Sequence, residues 1–302
     1  MIRTKKRHQL DMCHGSLADK ILLFAIPLMA SSMLQLLFNA ADVIVVGRFA
    51  GKESLAAVGS TGSISFLVIG FCMGICNGFA IPVAQRIGAG EPSKMRRYVA
   101  NAAYLGAGIA VVLTAATGLL CRTILTAMQT PEEIFADAYS YIFVIFMGIP
   151  ASILYNLLAA IMRSLGDSKT PVYFLALASI LNIGLDFAFI LLFRAGVAGA
   201  AIATVLSQLA SCLFVLRFLF GPVPPLRITF GGYSLHTMLR VLLTGLTPFV
   251  IIAVDNVMII AMNAVLQRYG GAALGDRLVT CATIAQSFML VVTMPLGGIS
   301  AG

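Results

Sequence analysis

Charge is what this chain has least of. Asp, Glu, Lys and Arg make up 11% of its 302 residues, against a hydrophobic share of 60%. Soluble domains carry about a quarter charged residues, so a surface kept wholly in water is excluded. Cysteine is sparse as well, with six residues scattered mostly through apolar runs. Cys72 and Cys76 share a helix face, yet no His or carboxylate stands near them in sequence. That favours small core residues over metal ligands. No cleavable signal peptide is expected either. The first apolar stretch, about 30 residues long, is far beyond an h-region and precedes no soluble domain. The opening MIRTKKRHQL is expected to be a basic tail.

What the chain has in abundance is long apolar runs. Eight are read, at about 17–46, 55–82, 97–121, 134–162, 171–193, 197–219, 238–267 and 276–301. Each is long enough to cross roughly 30 Å of hydrocarbon. The fold expected is an all-α polytopic membrane protein. The net charge of +8 would suit nucleic acid, but its distribution argues otherwise. With the N-terminus inside, 14 of the 20 Lys and Arg fall on the cytoplasmic side, among them Arg86, Lys94, Arg96, Arg97 and Arg240. That asymmetry is the positive-inside rule, and it expects a cytoplasmic N-terminus in the inner membrane, with no nucleic-acid partner.

The longest polar interruption, FGPVPPLRITFGGYSLHT at 220–237, reads as a linker. It divides a six-span lobe (1–219) from a region (238–302) with two spans. The flanks resemble one another. Aligning Pro27 with Pro248 sets Asp42 opposite Asn263, and GICNG (74–78) lies opposite GISAG (298–302). In one order, these matches point to an internal repeat, as in transporters with two related halves. A second six-span lobe is then expected. Because MPLGGISAG breaks off within an apolar run, the chain is expected to be C-terminally truncated.

Three acids stand where oil is expected: Asp42, Asp186 and Asp255. An ionisable residue at mid-span costs about 2.5–3.5 kcal/mol on insertion scales, so it faces a cavity or a partner. Asn182 and Asp186 are four apart and share a helix face. A carboxylate beside an amide can take up a proton or help coordinate Na⁺; the alternative is a hydrogen bond that ties helices together. Asp42 follows Pro27 by 15 residues, with Gln35 two turns before it. Pro27 removes a backbone hydrogen bond, so the first helix can kink there. The alternative for Asp42 is a cap near Gly47 at the outer helix end. Gly70, Gly74 and Gly78 make a small-residue run that allows close packing. Asn77, Asn156, Gln208, Asn263 and Gln286 are polar in apolar context, fit equally for lining a cavity or bonding between helices.

Taken together, NAADVIVVGRFAGKESLAAVGS (39–60), PVAQRIGAGE (82–91), MRSLGDSKTPV (162–172), LNIGLDFAFI (181–190) and GVAGAAIATVLSQ (196–208) carry a resemblance. In order and spacing the chain resembles the multidrug and toxic compound extrusion (MATE) transporters. The resemblance implies two six-helix lobes around a central cavity. It also implies export of amphipathic organic cations in exchange for H⁺ or Na⁺, with no other cofactor. A monomeric full-length form in the lipid bilayer is expected.

Residue by residue, Asp42 matches the acid of the first helix, with Gln35 and Pro27 before it. Asn182 and Asp186 match the pair in the fifth helix, and Thr204 the hydroxyl of the sixth. The resemblance thus gives Asp42, Asn182, Asp186 and Thr204 as the cation site, with Pro27 and Gln35 supporting the kink and the cavity. An Asp at 186 is similar to the DinF-like branch. Asp255 falls one residue short of the acid that the NorM-like branch carries, and is left outside the site. Three other functions compete. A lipid-linked saccharide flippase of the same superfamily would favour several Arg or Lys in its spans, which hold almost none here. An intramembrane aspartyl protease would carry Gly-x-Gly-Asp, which NIGLD lacks. A non-transporting membrane remnant is the third.

Overall fold

The apolar runs become helices of membrane-crossing length. The computed structural model describes residues 17–128, 130–219 and 232–247, with scattered positions from 250 to 293. In chain order the helices are α1 (Leu17–Val45), α2 (Lys52–Gly88), α3 (Pro92–Ala127), α4 (Glu132–Met147), α5 (Ile149–Ser164), α6 (Lys169–Phe187) and α7 (Gly196–Leu219). Among the described residues α4 and α5 form one span bent by 44°, so the six expected crossings before the linker are present. The bend has a local cause. Pro150 has no N–H to offer the carbonyl of Phe146, and Gly148 sits at the break. Helices α2 and α3 outrun their apolar stretches because their charged ends, such as Arg86 and Lys94, stay helical. Hydropathy marks where water begins, whereas caps mark where the helix stops.

Two of the family-like stretches are helix ends. In RIGAGE, Gly90 adopts φ +69° and the Glu91 N–H reaches back to the Arg86 carbonyl at 3.1 Å. In MRSLGD, Gly166 adopts φ +81° and the Asp167 N–H reaches the Met162 carbonyl at 3.1 Å. Both are Schellman-type stops, which satisfy last-turn carbonyls and need a left-handed residue that glycine supplies without strain. Asp167 then starts the next helix. Its Oδ1 accepts the backbone N–H of Thr170 at 3.0 Å, and its Oδ2 the Thr170 hydroxyl at 2.6 Å. Asp167→Ala is expected to cost about 1 kcal/mol, read as a lower thermal midpoint in detergent. Between α2 and α3, Glu91 accepts from Lys94 Nζ at 2.7 Å and from Arg86 Nη1 at 2.8 Å. The Lys94 bond, then the Arg86 bond, holds this carboxyl below the usual carboxylate range. Its share of stability is present at neutral pH and is lost only as acid titrates it through that lowered value.

Helices α6, α7, the bent α4–α5 pair and α2 follow α1 around a central space, while α3 packs outside on α2, α4 and α5. The main core lies between α2, α3, α4 and α5, where Phe79, Leu125, Ile142 and Phe146 are buried. Cys72 and Cys76 are buried in it too, and Cys76 Sγ donates to the Ile153 carbonyl at 3.5 Å. Helix α1 runs on unbroken through Pro27.

Of the linker, 220–231 lies outside the described residues. The next helix, over 235–247, begins three residues earlier than the apolar pattern set it. Ser234 explains this shift, since its Oγ accepts the Thr237 N–H at 3.4 Å and caps the first turn. The repeat partners Pro248 and Asn263, with Gln286 and residues 298–302, lie outside the described residues.

Candidate cation site and central cavity

Three helices bring four polar residues from distant parts of the chain to one place. Asp42 projects from the C-terminal part of α1 and is 9% exposed, while Asn182 and Asp186 on α6 are 0% exposed. The Thr204 hydroxyl on α7 donates to Asp42 Oδ2 at 3.0 Å and also lies 3.0 Å from its own Ala200 carbonyl. The Asp42 carboxyl further faces Asp186 and Asn182 at interaction range. The two α6 residues share a face because four residues span little more than one helical turn.

The donor set is unusual for its lack of partners. Asp42 Oδ1, both Asp186 oxygens and both polar atoms of Asn182 are buried with no hydrogen-bond partner among the described residues. Buried polar groups are ordinarily paired, since leaving one unpaired costs about 1–3 kcal/mol. The two ion pairs found among the described residues both gather on Glu91, far from these carboxylates in sequence. Two facing carboxylates with no cationic side chain repel one another in a low-dielectric interior. Their oxygens, the amide oxygen and the Thr204 hydroxyl are hard donors of the kind that suits a proton or an alkali cation.

The cluster has a front and a back. A cavity of about 360 Å³ opens between the helices, and Asp42, Thr204 and Gln35 line it, whereas Asn182 and Asp186 lie behind. Asn156 and Gln208, both ambiguous in sequence, are on its wall. Ser152 links them: its Oγ donates to Gln208 Oε1 at 2.6 Å, and its carbonyl accepts from Asn156 Nδ2 at 2.8 Å. Asn77 instead accepts from Arg163 Nη2 at 2.9 Å. Pro27 is away from the cavity wall, and Asp255 is an exposed helical position. Tyr141 on α4 was not foreseen. It lines the cavity and feels the charges of both Asp42 and Asp186. Nothing in its local pattern marks it out from the neighbouring aromatics of α4.

An all-helical, multi-pass membrane protein with a largely apolar central cavity that carries a few polar side chains is therefore the class in hand. Residues 27–188 match the MatE family model, and the chain belongs to that family, which consists of transporters rather than enzymes. It is 33% identical over 208 residues to the probable multidrug resistance protein YpnP of Bacillus subtilis, covering 69% of this chain and 47% of that protein. Against the probable multidrug resistance protein NorM of Thermotoga maritima it is 30% identical over 219 residues, covering 68% and 47%. The chain thus spans about half the length of these relatives. Among solved structures, it superposes with TM-score 0.88 and 26% identity on an outward-facing multidrug resistance MATE transporter of the MOP superfamily. With a MOP superfamily transporter of Pyrococcus furiosus the TM-score is 0.86 at 25% identity. Each match covers 99% of this chain and 66% of the other.

Proposed function

We propose that residues 1–219 form the cation-binding lobe of an exporter that exchanges H⁺ or Na⁺ for amphipathic, mostly cationic drugs. Residues 220–237 would link this lobe to the start of a second one at 238–302. The observation that carries the reading is the buried pair of Asp42, on the wall of a drug-sized cavity, and Asp186, behind that wall. The names of the relatives support the drug part, and the Asp at 186 supports the DinF-like branch. A cation entering at Asp186 and Asn182 removes the repulsion between the two carboxylates. Asp42, now neutralised, loses its hold on a cationic substrate at the cavity face. Pro27 gives α1 a point at which to bend and shrink the cavity. The bound drug then leaves to the outer side. The basic loops hold the N-terminus in the cytoplasm, and the protein works as a monomer in the inner membrane.

The test is drug efflux by the full-length protein from vesicles, under H⁺ and Na⁺ gradients imposed separately. One gradient is expected to drive efflux and thereby name the ion. Thr204→Val should raise the concentration of that ion needed for half-maximal efflux by roughly tenfold, the worth of one charge-assisted hydrogen bond. Efflux indifferent to both gradients would refute the exchange.

A further inference from the structure

We infer that the crossing of Gly78 with Gly245 is the inner gate of the cavity, a seam that parts and recloses in each transport cycle. The inference rests on the exporter reading and adds the place where the path to the cytoplasm is shut.

Along α2 the cavity wall ends at Ile69. Gly78 comes nine residues later, about 13 Å further along the axis, between the cavity and the end carrying Arg86. Here the helix over 235–247 meets α2. A Cβ placed on Gly78 would press on Gly245 Cα and lie 2.9 Å from its carbonyl oxygen. A Cβ on Gly245 would come 2.7 Å from two ring carbons of Phe79. The two backbones touch because neither position has a side chain. Val241, one turn before Gly245, is 0% exposed, and Phe79 is 1% exposed, so the seam is tight.

The polar contacts all fall just before this helix or in its first half, and that makes the seam a gate rather than a fixed joint. Asn101 Nδ2 and Arg97 Nε both donate to the Gly232 carbonyl at 3.2 Å, and the Ser234 N–H donates to Asn101 Oδ1 at 3.2 Å. Arg240 Nη1 reaches the Tyr98 hydroxyl at 3.5 Å. Beyond Arg240, among the described residues, no hydrogen bond or ion pair between side chains spans the seam. Gly245 stands five residues past Arg240, the last of these contacts, so a tilt about the clamp moves it on a lever of about 8 Å. Opening therefore costs apolar contact alone, and closing restores it without any bond to realign.

The test places a reporter cysteine at Asn156 in the cavity of the full-length protein, in inside-out vesicles. A membrane-impermeant maleimide is applied from the cytoplasmic side. Gly78→Leu should prop the seam and raise the labelling rate by roughly tenfold or more, as a minor open state becomes the major one. Gly78→Ala should give a smaller rise and decides the matter if the leucine variant fails to insert. Gly108→Leu on α3, where a side chain meets nothing within 4 Å, should leave the rate unchanged. Labelling unaltered by either Gly78 variant overturns the gate. Labelling needs no transport, so a wild type that exports no drug would sink the exporter reading while the gate is still decided.

Discussion

Asp186→Asn is expected to abolish gradient-driven drug efflux while leaving the protein inserted at wild-type level and still able to bind drug. Asparagine matches aspartate in shape, and the 0% exposure of this site means that no packing is lost. What disappears is the ability to carry a charge in one state and neutralise it in the next. Drug binding should survive because Asp186 stands behind the cavity wall rather than on it. Asp42→Asn is expected to differ in that one respect. Asp42 lines the cavity, so its substitution should stop efflux and also weaken binding of cationic drugs. Efflux assays paired with equilibrium drug binding on purified protein separate the two. If Asp186→Asn still exports drug under an ion gradient, the carboxylate pair is a structural tie and the cation reading fails.

Asn101→Leu is expected to cost about 2–3 kcal/mol, a large share of the stability of most folded domains. Asn101 is 0% exposed, and its side chain bonds the Arg97 carbonyl at 2.7 Å as well as the backbone of 232–234. Leucine of similar size fills the space but leaves the Ser234 N–H without its acceptor. The Gly232 carbonyl keeps Arg97 and is less affected. Thermal unfolding in detergent should show the loss, and proteolysis should quicken at 232–234, where the clamp no longer holds the chain. Unchanged stability would mean that solvent replaces the clamp without cost.

How much of this was legible before any coordinates depends on the range of the interaction. The six crossings were legible, because a run of apolar residues reports its solvent directly. So was the shared face of Asn182 and Asp186, since the helical period fixes which residues align. That Asp42 would meet Thr204 across 162 residues of sequence could not come from periodicity; it came from resemblance. Tyr141 was missed because a tyrosine among aromatics carries no local mark of its neighbours. The bend at Gly148 was missed although Pro150 was in view, since hydropathy treats 134–162 as one uniform run. Asn101 was passed over for a similar reason. A lone asparagine near a basic helix end looks solvated until the chain from 232 returns to cover it. Two of the stretches that carry the family resemblance, RIGAGE and MRSLGDSKTP, are mainly helix punctuation.

Both helices that carry the site's carboxylates finish in the same irregular way. Beyond Asp42, α1 passes into a π-helical turn at Val46–Ala50, and beyond Asp186, α6 does so at Ala188–Leu192. The two turns share a small apolar cluster, and the Phe49 ring meets the Phe187 ring edge-on at 5.5 Å. A π turn holds one residue more than an α turn. Each helix thus stores a spare residue beside its aspartate. Passing that residue inward by a turn rotates the side chains it crosses by about 100°, with both helix ends held in place. Asp42 would swing off Thr204, and Asp186 would come round from its sealed position. The coupled helices would then work as a pair of screws, turning acid groups between two environments at constant length.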